Sequence, residues 1–438
     1  MPELNVRDNT EQIHRNNLKP IVLGGIILLF GLFAGLGISR FLNNKEVTPQ
    51  NHSIVIPNGT TTPQGITGDA GLQSELQKMY VKAQDLANGG KNNDPQTKQT
   101  ITFLAVGDIS LSRNVAQQIK NSGNTFAPFE KMKDILASTD FNFGNLETPF
   151  SNSNAFSPSN TLVFNAPKKN VEGLKAANFQ IVSLANNHSL DQGSTGAEIT
   201  RTWLSQNNIL HMGTGKNLDE AYAPKIIDIK GFKIAFIAAS YSSINDSGAV
   251  KNNIVARIDD TVRLKKSVTG AKKTADVVVV SMHAGTEYVR EPNELQKNFA
   301  HSAIDSGADI VIGHHPHWVQ TIENYNGKYI FYSLGNFVFD QDWSQDTKEG
   351  LVLKISIEGK KPSSQTAPPP PNEPQTGKKT VTLDDLQSTR SLDAAPKITQ
   401  IELIPTIIER NFRPRPATET EGQTILNKIG QKDKILKQ

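Results

Sequence analysis

The chain has 438 residues, 37% of them hydrophobic and 20% charged, and its 46 Lys+Arg against 43 Asp+Glu leave a formal net charge of only +3. That balance excludes a nucleic-acid binder driven by bulk charge, and the length allows up to about three domains. With no cysteine in the sequence, disulfides, thiol catalysis and iron–sulfur clusters are excluded too, so burial alone must hold the core.

Residues 1–19 read as a short cytoplasmic arm. Between Lys19 and Arg40 lie 20 uncharged, mostly apolar residues, which as a helix reach about 30 Å, the thickness of a bilayer core. A cleaved secretory signal would have a shorter apolar run and a small-x-small site; Arg40-Phe41-Leu42 offers none. Residues 20–39 are therefore expected to be an uncleaved, single-pass anchor in the cell membrane, with Arg7, Arg15 and Lys19 inside and the long remainder extracytoplasmic. Gly31 and Gly35 have the spacing of a helix-packing pair. Residues 43–100, rich in Asn, Thr, Gln, Gly and Pro, read as a flexible tether. Leu72, Leu76, Met79, Ala83 and Leu86 predict one short amphipathic helix within it, stopped at Gly89-Gly90.

From Ile101 the texture changes. The apolar runs ITFLAV, FQIVSLA, KIAFIAA, DVVVVSM and ADIVIG are separated by amphipathic stretches such as 195–206 and 292–305, where Leu295, Phe299 and Ala303 are expected to share a buried face. Strands alternating with helices predict a layered α/β domain over 101–358 and 397–436. Asn326-Gly327 reads as a tight hairpin turn. Residues 359–396, with four consecutive prolines, form a Pro-rich surface insertion. Residues 397–406 supply another strand, and 420–436 a closing helix with Ile425, Ile429 and Ile435 as its apolar positions.

Polar residues gather just after the apolar runs: Asp108, Asn145 and Glu147, Asn186-Asn187-His188, His283, and His314, His315 and His317. In an α/β sheet the carboxyl ends of strands face the ligand crevice. Five of the nine histidines fall between 283 and 317. Pro316 is expected to stiffen His315-Pro316-His317 in an extended geometry, a rigid pair of imidazoles able to hold a transition metal with carboxylate and amide oxygens completing the sphere. A nitrogen and oxygen set without sulfur suits Mn, Fe, Zn or Co. Taken singly, Asp108 and Asn187 also suit helix caps and His188 a loop. Trp318 and Phe337 read as core or pocket-wall aromatics, and Asn336 as a partner for backbone groups.

Taken in chain order, Gly107-Asp108 with Arg113, Asn145-Leu146-Glu147, Ala185 to His188, His283-Ala284-Gly285 with Glu287-Tyr288, Gly313 to Gln320 and Ser333 to Phe337 resemble the CapA-type capsule (poly-γ-glutamate) synthesis proteins, whose domain is similar to calcineurin-like metallophosphoesterases. The resemblance implies an α/β/β/α sandwich of metallophosphatase type behind the transmembrane helix. It also implies Asp108, Glu147, Asn187, His283, His315 and His317 as ligands of one or two divalent ions of the Mn/Fe/Zn type, with His188 as proton donor to a leaving oxygen. Arg113 would clamp an anionic group or form a surface ion pair. Calcineurin-like enzymes carry Asp-x-His at the first strand where this chain has Asp108-Ile109-Ser110, so one imidazole is missing; His314 is an extra one beside the pair.

The resemblance implies a metal-dependent hydrolase or transferase acting on an anionic polymer or phosphorylated substrate in poly-γ-glutamate capsule synthesis or export, alongside membrane synthase subunits. Two alternatives stand beside it: a non-catalytic envelope partner binding polyanion or synthase, and a phosphomonoesterase or phosphodiesterase unrelated to capsule.

Overall fold

A computed structural model describes residues 98–241, 253–360 and 395–438, together with a two-residue antiparallel ladder, Ser53–Ile54 against Val381–Thr382. The chain divides into two compact units, and that ladder is all that is described of the unit formed by 1–91 and 375–388. The expected anchor at 20–39, the short tether helix and the Pro-rich run lie outside the described residues; among the described residues no helix is long and apolar enough to cross a membrane.

The other unit, 92–374 and 389–438, is built on two sheets. In chain order the strands of these sheets are β1 (Lys98–Ile109), β2 (Phe141–Leu146), β3 (Phe179–Ser183), β4 (Leu210–Met212), β5 (Lys225–Ile229), β6 (Phe232–Ser240), β7 (Val277–His283), β8 (Ile310–His314), β9 (Ile322–Tyr325), β10 (Lys328–Phe331), β11 (Asn336–Val338), β12 (Glu349–Lys360), β13 (Lys397–Ile408), β14 (Pro414–Pro416) and β15 (Ile435–Lys437); a short parallel pair, Phe150–Ser151 with Ala166–Pro167, stands apart from both. The longer helices are α1 (Arg113–Ser122), α2 (Gly193–Gln206), α3 (Thr261–Thr274), α4 (Glu294–Asp305) and α5 (Glu419–Lys428). The first sheet runs β14-β13-β12-β1-β2-β3-β4, with β11 beside β1 and β15 beside β13; the second runs β9-β10-β8-β7-β6-β5.

The central strands are apolar throughout because each is buried on both faces, and the two-residue period of a strand sorts their side chains into separate cores. In β1, Phe103 and Ala105 face the second sheet while Leu104 and Val106 face α1 and the turns beside it. In β7, Val277 and Val279 join the inter-sheet core while Val278 and Val280 pack with Leu264, Val268 and Phe299 of α3 and α4. The order is helices, sheet, sheet, helices. Phe236 of β6 joins the two sheets, its ring centroid 5.8, 6.1 and 5.5 Å from those of Phe103, Phe141 and Phe143.

The elements depart from the sequence expectations in three boundaries and in one buried face. Lys98 to Thr100, assigned to the tether, extend β1, because they pair with Glu358 to Lys360 of β12; the same pairing takes Gly359 and Lys360 out of the expected insertion. The closing helix ends at Lys428, where Gly430 adopts φ 69°. Ile435 consequently lies on β15, opposite Glu402 and 50% exposed, while Ile425 and Ile429 are buried as expected. On α4, Leu295 is 46% exposed and Gln296 takes the inward place beside Phe299 and Ala303. Gln296 is held there by a capping box with Asn293 and by a 2.8 Å hydrogen bond from Nε2 to Gln320 Oε1. Asn326-Gly327 forms the expected turn between β9 and β10, both residues at positive φ.

Because Phe236 bridges the sheets, Phe236→Ala should lower the stability to urea by about 3–5 kcal/mol, whereas Ile435→Ala at the exposed edge should change it by less than about 0.5 kcal/mol. Denaturation curves of the two variants check this.

Candidate metal centre

The parallel strands β1, β2 and β3 of one sheet and β6, β7 and β8 of the other end at a common rim, and the polar residues that follow the apolar runs meet there. Asp108 lies in register with Asn145 on one side and Asn336 on the other, and His283 lies in register with His314. Asp108 owes its place to the glycine before it. A Cβ on Gly107 would stand 2.0 Å from Gly335 O, the carbonyl that accepts the Asp108 N–H at 3.0 Å.

Asn145 is the hub. Its Nδ2 lies 2.9 Å from Asp108 Oδ1, 3.1 Å from Glu147 Oε1 and 3.1 Å from His283 Nδ1, and its Oδ1 accepts from Asn186 Nδ2 at 3.3 Å. The amide therefore holds two carboxylates and an imidazole in one orientation. On the far edge of that imidazole, His283 Nε2 is 2.8 Å from Asn187 Oδ1. Asn187 does not cap α2, which begins behind Gln192.

His315 and His317 do not take the extended form expected around a proline. Their φ angles are 100° and 58°, in the region that favours glycine, and strain of this kind persists only where surrounding contacts enforce it. The contacts are visible. The His315 N–H donates to Asp108 Oδ2 at 3.2 Å, and His317 Nδ1 lies 2.9 Å from Asn336 Oδ1 and 3.6 Å from Asp108 Oδ2. The twist brings the His315 ring to 4.8 Å from that of His283 and 6.1 Å from that of His317. His314 Nδ1 is 3.4 Å from Asp108 Oδ1 without hydrogen-bond alignment, and neither of its ring nitrogens has a hydrogen-bond partner.

All six residues expected as ligands thus come together, nearly or fully buried. Ligand atoms of Asp108, Glu147 and His317 lie within 4.8 Å of one another. Burial and the neighbouring Asp108 carboxylate push Glu147 well above the usual carboxyl range. For Asp108 burial acts upward as well, but the imidazoles of His314, His283 and His317 outweigh it and hold the acid low. Burial, reinforced by neighbouring imidazoles, lowers His283 and takes His315 down to about 3, and burial also lowers His317. Shifts in this direction favour the neutral form of the imidazole, the form that binds a cation through a ring lone pair.

The group fits a divalent metal. Glu147 Oε2 and His315 Nδ1 are buried and have no hydrogen-bond partner, a state that costs free energy unless another ligand completes them. If His317 donates from Nδ1 to Asn336, its Nε2 lone pair is left for the ion.

His188 and Arg113 form a neighbouring tier. His188 Nδ1 is 2.8 Å from Asp191 Oδ2, and its ring stacks on Phe164 with centroids 3.8 Å apart. The Arg113 guanidinium is committed to Asp340 and, at 3.1 Å, to Thr161 O, and it lies 4.6 Å from the Phe164 centroid. Its ion pair is buried, not a surface pair. Sequence reasoning passed over Asp191, Phe164 and the bridging role of Asn145; Asp191 stands one helical turn beyond His188, the one spacing that hinted at it. Asn336 meets Thr347 O through Nδ2 at 2.9 Å, as a partner for backbone, and His317 through Oδ1.

Residues 102–341, more than half of the chain, match the family model described as bacterial capsule synthesis protein PGA_cap. The chain belongs to this family. Within it, the PGA biosynthesis protein CapA of Bacillus subtilis (strain 168) is 34% identical over 270 residues, covering 60% of this chain and 70% of that protein. The capsule biosynthesis protein CapA of Bacillus anthracis is 30% identical over 264 residues, 58% of this chain and 63% of that one. Among solved structures, the calcineurin-like phosphoesterase YfkN of Bacillus subtilis is similar with a TM-score of 0.38 and 12% identity, over 76% of this chain and 97% of that chain. All six donors of the cluster fall inside the PGA_cap segment.

If φ at His315 is held against its preference, glycine should suit the position better than alanine. His315→Gly should be more stable than His315→Ala by about 1–2 kcal/mol, measured by urea denaturation in the presence of a chelator; equal stabilities would refute the strain.

Proposed function

We propose that this PGA_cap member is a metal-dependent hydrolase or transferase acting on an anionic polymer or phosphorylated substrate during capsule synthesis or export. In this reading residues 20–39 anchor the chain in the cell membrane in a single pass, and the domain works outside the cytoplasm beside membrane synthase subunits. The observation that carries it is the convergence of Asp108, Glu147 and His317 within 4.8 Å, with Glu147 Oε2 buried and partnerless.

Asp108, Glu147, Asn187, His283, His315 and His317 would hold one or two ions of the Mn/Fe/Zn type. A bound divalent ion supplies Lewis-acid polarisation of a substrate oxygen and neutralises developing negative charge. The protein's own groups supply the rest. Asp191 fixes Nδ1 of His188 at 2.8 Å, which directs Nε2 to give its proton to the departing oxygen. Phe164 covers one face of the ring and limits competing water. Arg113, held by Asp340, acts on this arrangement by bracing Phe164, and is a positioning residue.

The purified chain should retain a stoichiometric transition metal by elemental analysis and should hydrolyse a generic phosphodiester with added Mn²⁺. His315→Ala should lose most of the metal, and His188→Ala should keep the metal but lose about 10²–10⁴-fold in rate. Metal-free wild type, or equal activity in all three proteins, would end this reading.

A second reading is favoured by the first strand. Where phosphoesterases of the resembled type place a histidine, Ser110 Oγ is bonded to Ser112 Oγ at 3.0 Å and Thr148 Oγ1 at 3.2 Å, with no imidazole replacing it from β1. On that ground the cluster would be a structural cation site in a non-catalytic partner. Capsule retention in cells carrying His188→Ala would support it.

A further inference from the structure

The segment between β7 and α4 runs along the turn that carries His315 and His317 and is fastened to it. The Tyr288 N–H donates to Pro316 O at 2.9 Å, the carbonyl that lies between the two histidines. Gln320 Nε2 donates to Val289 O at 2.7 Å, Arg290 Nη1 to Val319 O at 3.1 Å, and the Thr321 N–H to Arg290 O at 3.4 Å. Arg290 is held in turn by Asp346, and its guanidinium lies 5.2 Å from the Trp318 ring centroid. The chain after β7 and the chain after β8 are thus joined side by side, and the donors His283, His315 and His317 stand on the joined pair.

Within that pair Tyr288 has the unusual backbone. Its φ is 61°, which a bulky residue adopts only where contacts enforce it. The phenol ring is half-buried and lies at 26° to the imidazole of His317, with centroids 6.0 Å apart, while Trp343 meets it edge-on at 4.8 Å. Its hydroxyl accepts from Gln341 Nε2 at 3.4 Å, Gln341 Oε1 accepts from Asn336 Nδ2 at 3.3 Å, and Asn336 Oδ1 lies 2.9 Å from His317 Nδ1. These contacts close a circuit from His317 through Asn336, Gln341 and Tyr288 to Pro316, the residue next to His317. The two links through Gln341 are long for hydrogen bonds, so the backbone bond and the ring contact are the firm ones. Rotation about N–Cα moves the side chain relative to the N–H. A negative φ would therefore sacrifice one of those two contacts.

We infer that Tyr288 is a positioning residue for the cluster: its N–H holds the His315-Pro316-His317 turn, its ring holds the imidazole of His317, and its strained backbone allows both at once. The inference rests on the reading of the cluster as a cation site given under Proposed function. It adds a residue outside the donor set that governs how tightly the cluster binds.

The test titrates Mn²⁺ calorimetrically into the chelator-treated 438-residue chain in nonionic detergent, with thermal midpoints of the metal-free proteins measured alongside. Tyr288→Ala should weaken Mn²⁺ binding about tenfold, as removal of a group behind a metal ligand does. Tyr288→Phe keeps the ring and the backbone bond and should retain most of the affinity. Tyr288→Gly separates positioning from plain structural support. Glycine suits this φ, so Tyr288→Gly should have a higher thermal midpoint than Tyr288→Ala and yet bind Mn²⁺ no more tightly. Wild-type affinity in Tyr288→Ala would overturn the inference, as would an affinity in Tyr288→Gly that recovers along with its midpoint. Either result beside a metal-bound, active wild type would leave the hydrolase standing. A wild type that takes up no Mn²⁺ would remove both, whereas one that binds Mn²⁺ without cleaving a phosphodiester, its variants ranked as expected, would remove the hydrolase alone.

Discussion

The structure is organised around two carboxylates that cannot both be charged without help. Asp108 and Glu147 are fully buried and share one amide nitrogen, Nδ2 of Asn145. Unit charges within 4.8 Å of each other repel by at least about 3 kcal/mol even at the effective dielectric of protein sites. The two acids are pushed in opposite directions: neighbouring imidazoles draw Asp108 down against its burial, while burial and the Asp108 carboxylate push Glu147 up. A divalent ion would relieve the repulsion between them and would also complete Glu147 Oε2 and His315 Nδ1. The other polar residues at the rim, neutral imidazoles and amides, are those that can satisfy a cation without adding negative charge.

Holding that cluster has a backbone cost, which falls on the loop after β8. Two histidines flanking a proline sit at positive φ, and what holds them is the hydrogen bond from the His315 N–H to Asp108 and the contact of His317 with Asn336. The rigid sheets on either side make this possible. β1 and β8 are each packed on both faces, so the strand ends do not yield and the loop between β8 and β9 takes up the distortion. The absent side chain of Gly107 belongs to the same device, since it lets β11 approach closely enough for Gly335 O to fix Asp108.

The strands were legible because their apolar runs are continuous, and the positions of the donors were legible because each comes directly after such a run. The family was legible from blocks such as Gly313 to Gln320, whose residue types are unusual in combination. What escaped was of three kinds. The conformation of His315-Pro316-His317 is set by hydrogen bonds to residues 207 and 19 positions away, which override the local preference of a residue before proline. Asp191 and Phe164 serve His188 through contacts that no periodicity encodes. The boundaries at Lys98 and Lys428 depend on a partner strand and on a left-handed glycine, so burial spacing alone ran both the tether and the last helix too far.

The donors lie within 102–341, but their arrangement depends on the strands C-terminal to that segment. β12 runs antiparallel along β1 from Leu353 opposite Ala105 to Lys360 opposite Lys98, and so makes an interior strand of the one that carries Asp108. A Cβ on Gly350 would meet Asn336 O at 2.3 Å, so β12 also seats β11. Asn336 then spans the boundary, Nδ2 on Thr347 O and Oδ1 on His317. A path of direct contacts therefore leads from the short helix Gln345–Lys348 through Asn336 and His317 to Asp108, so residues beyond 341 help to hold a candidate metal ligand in its strained conformation.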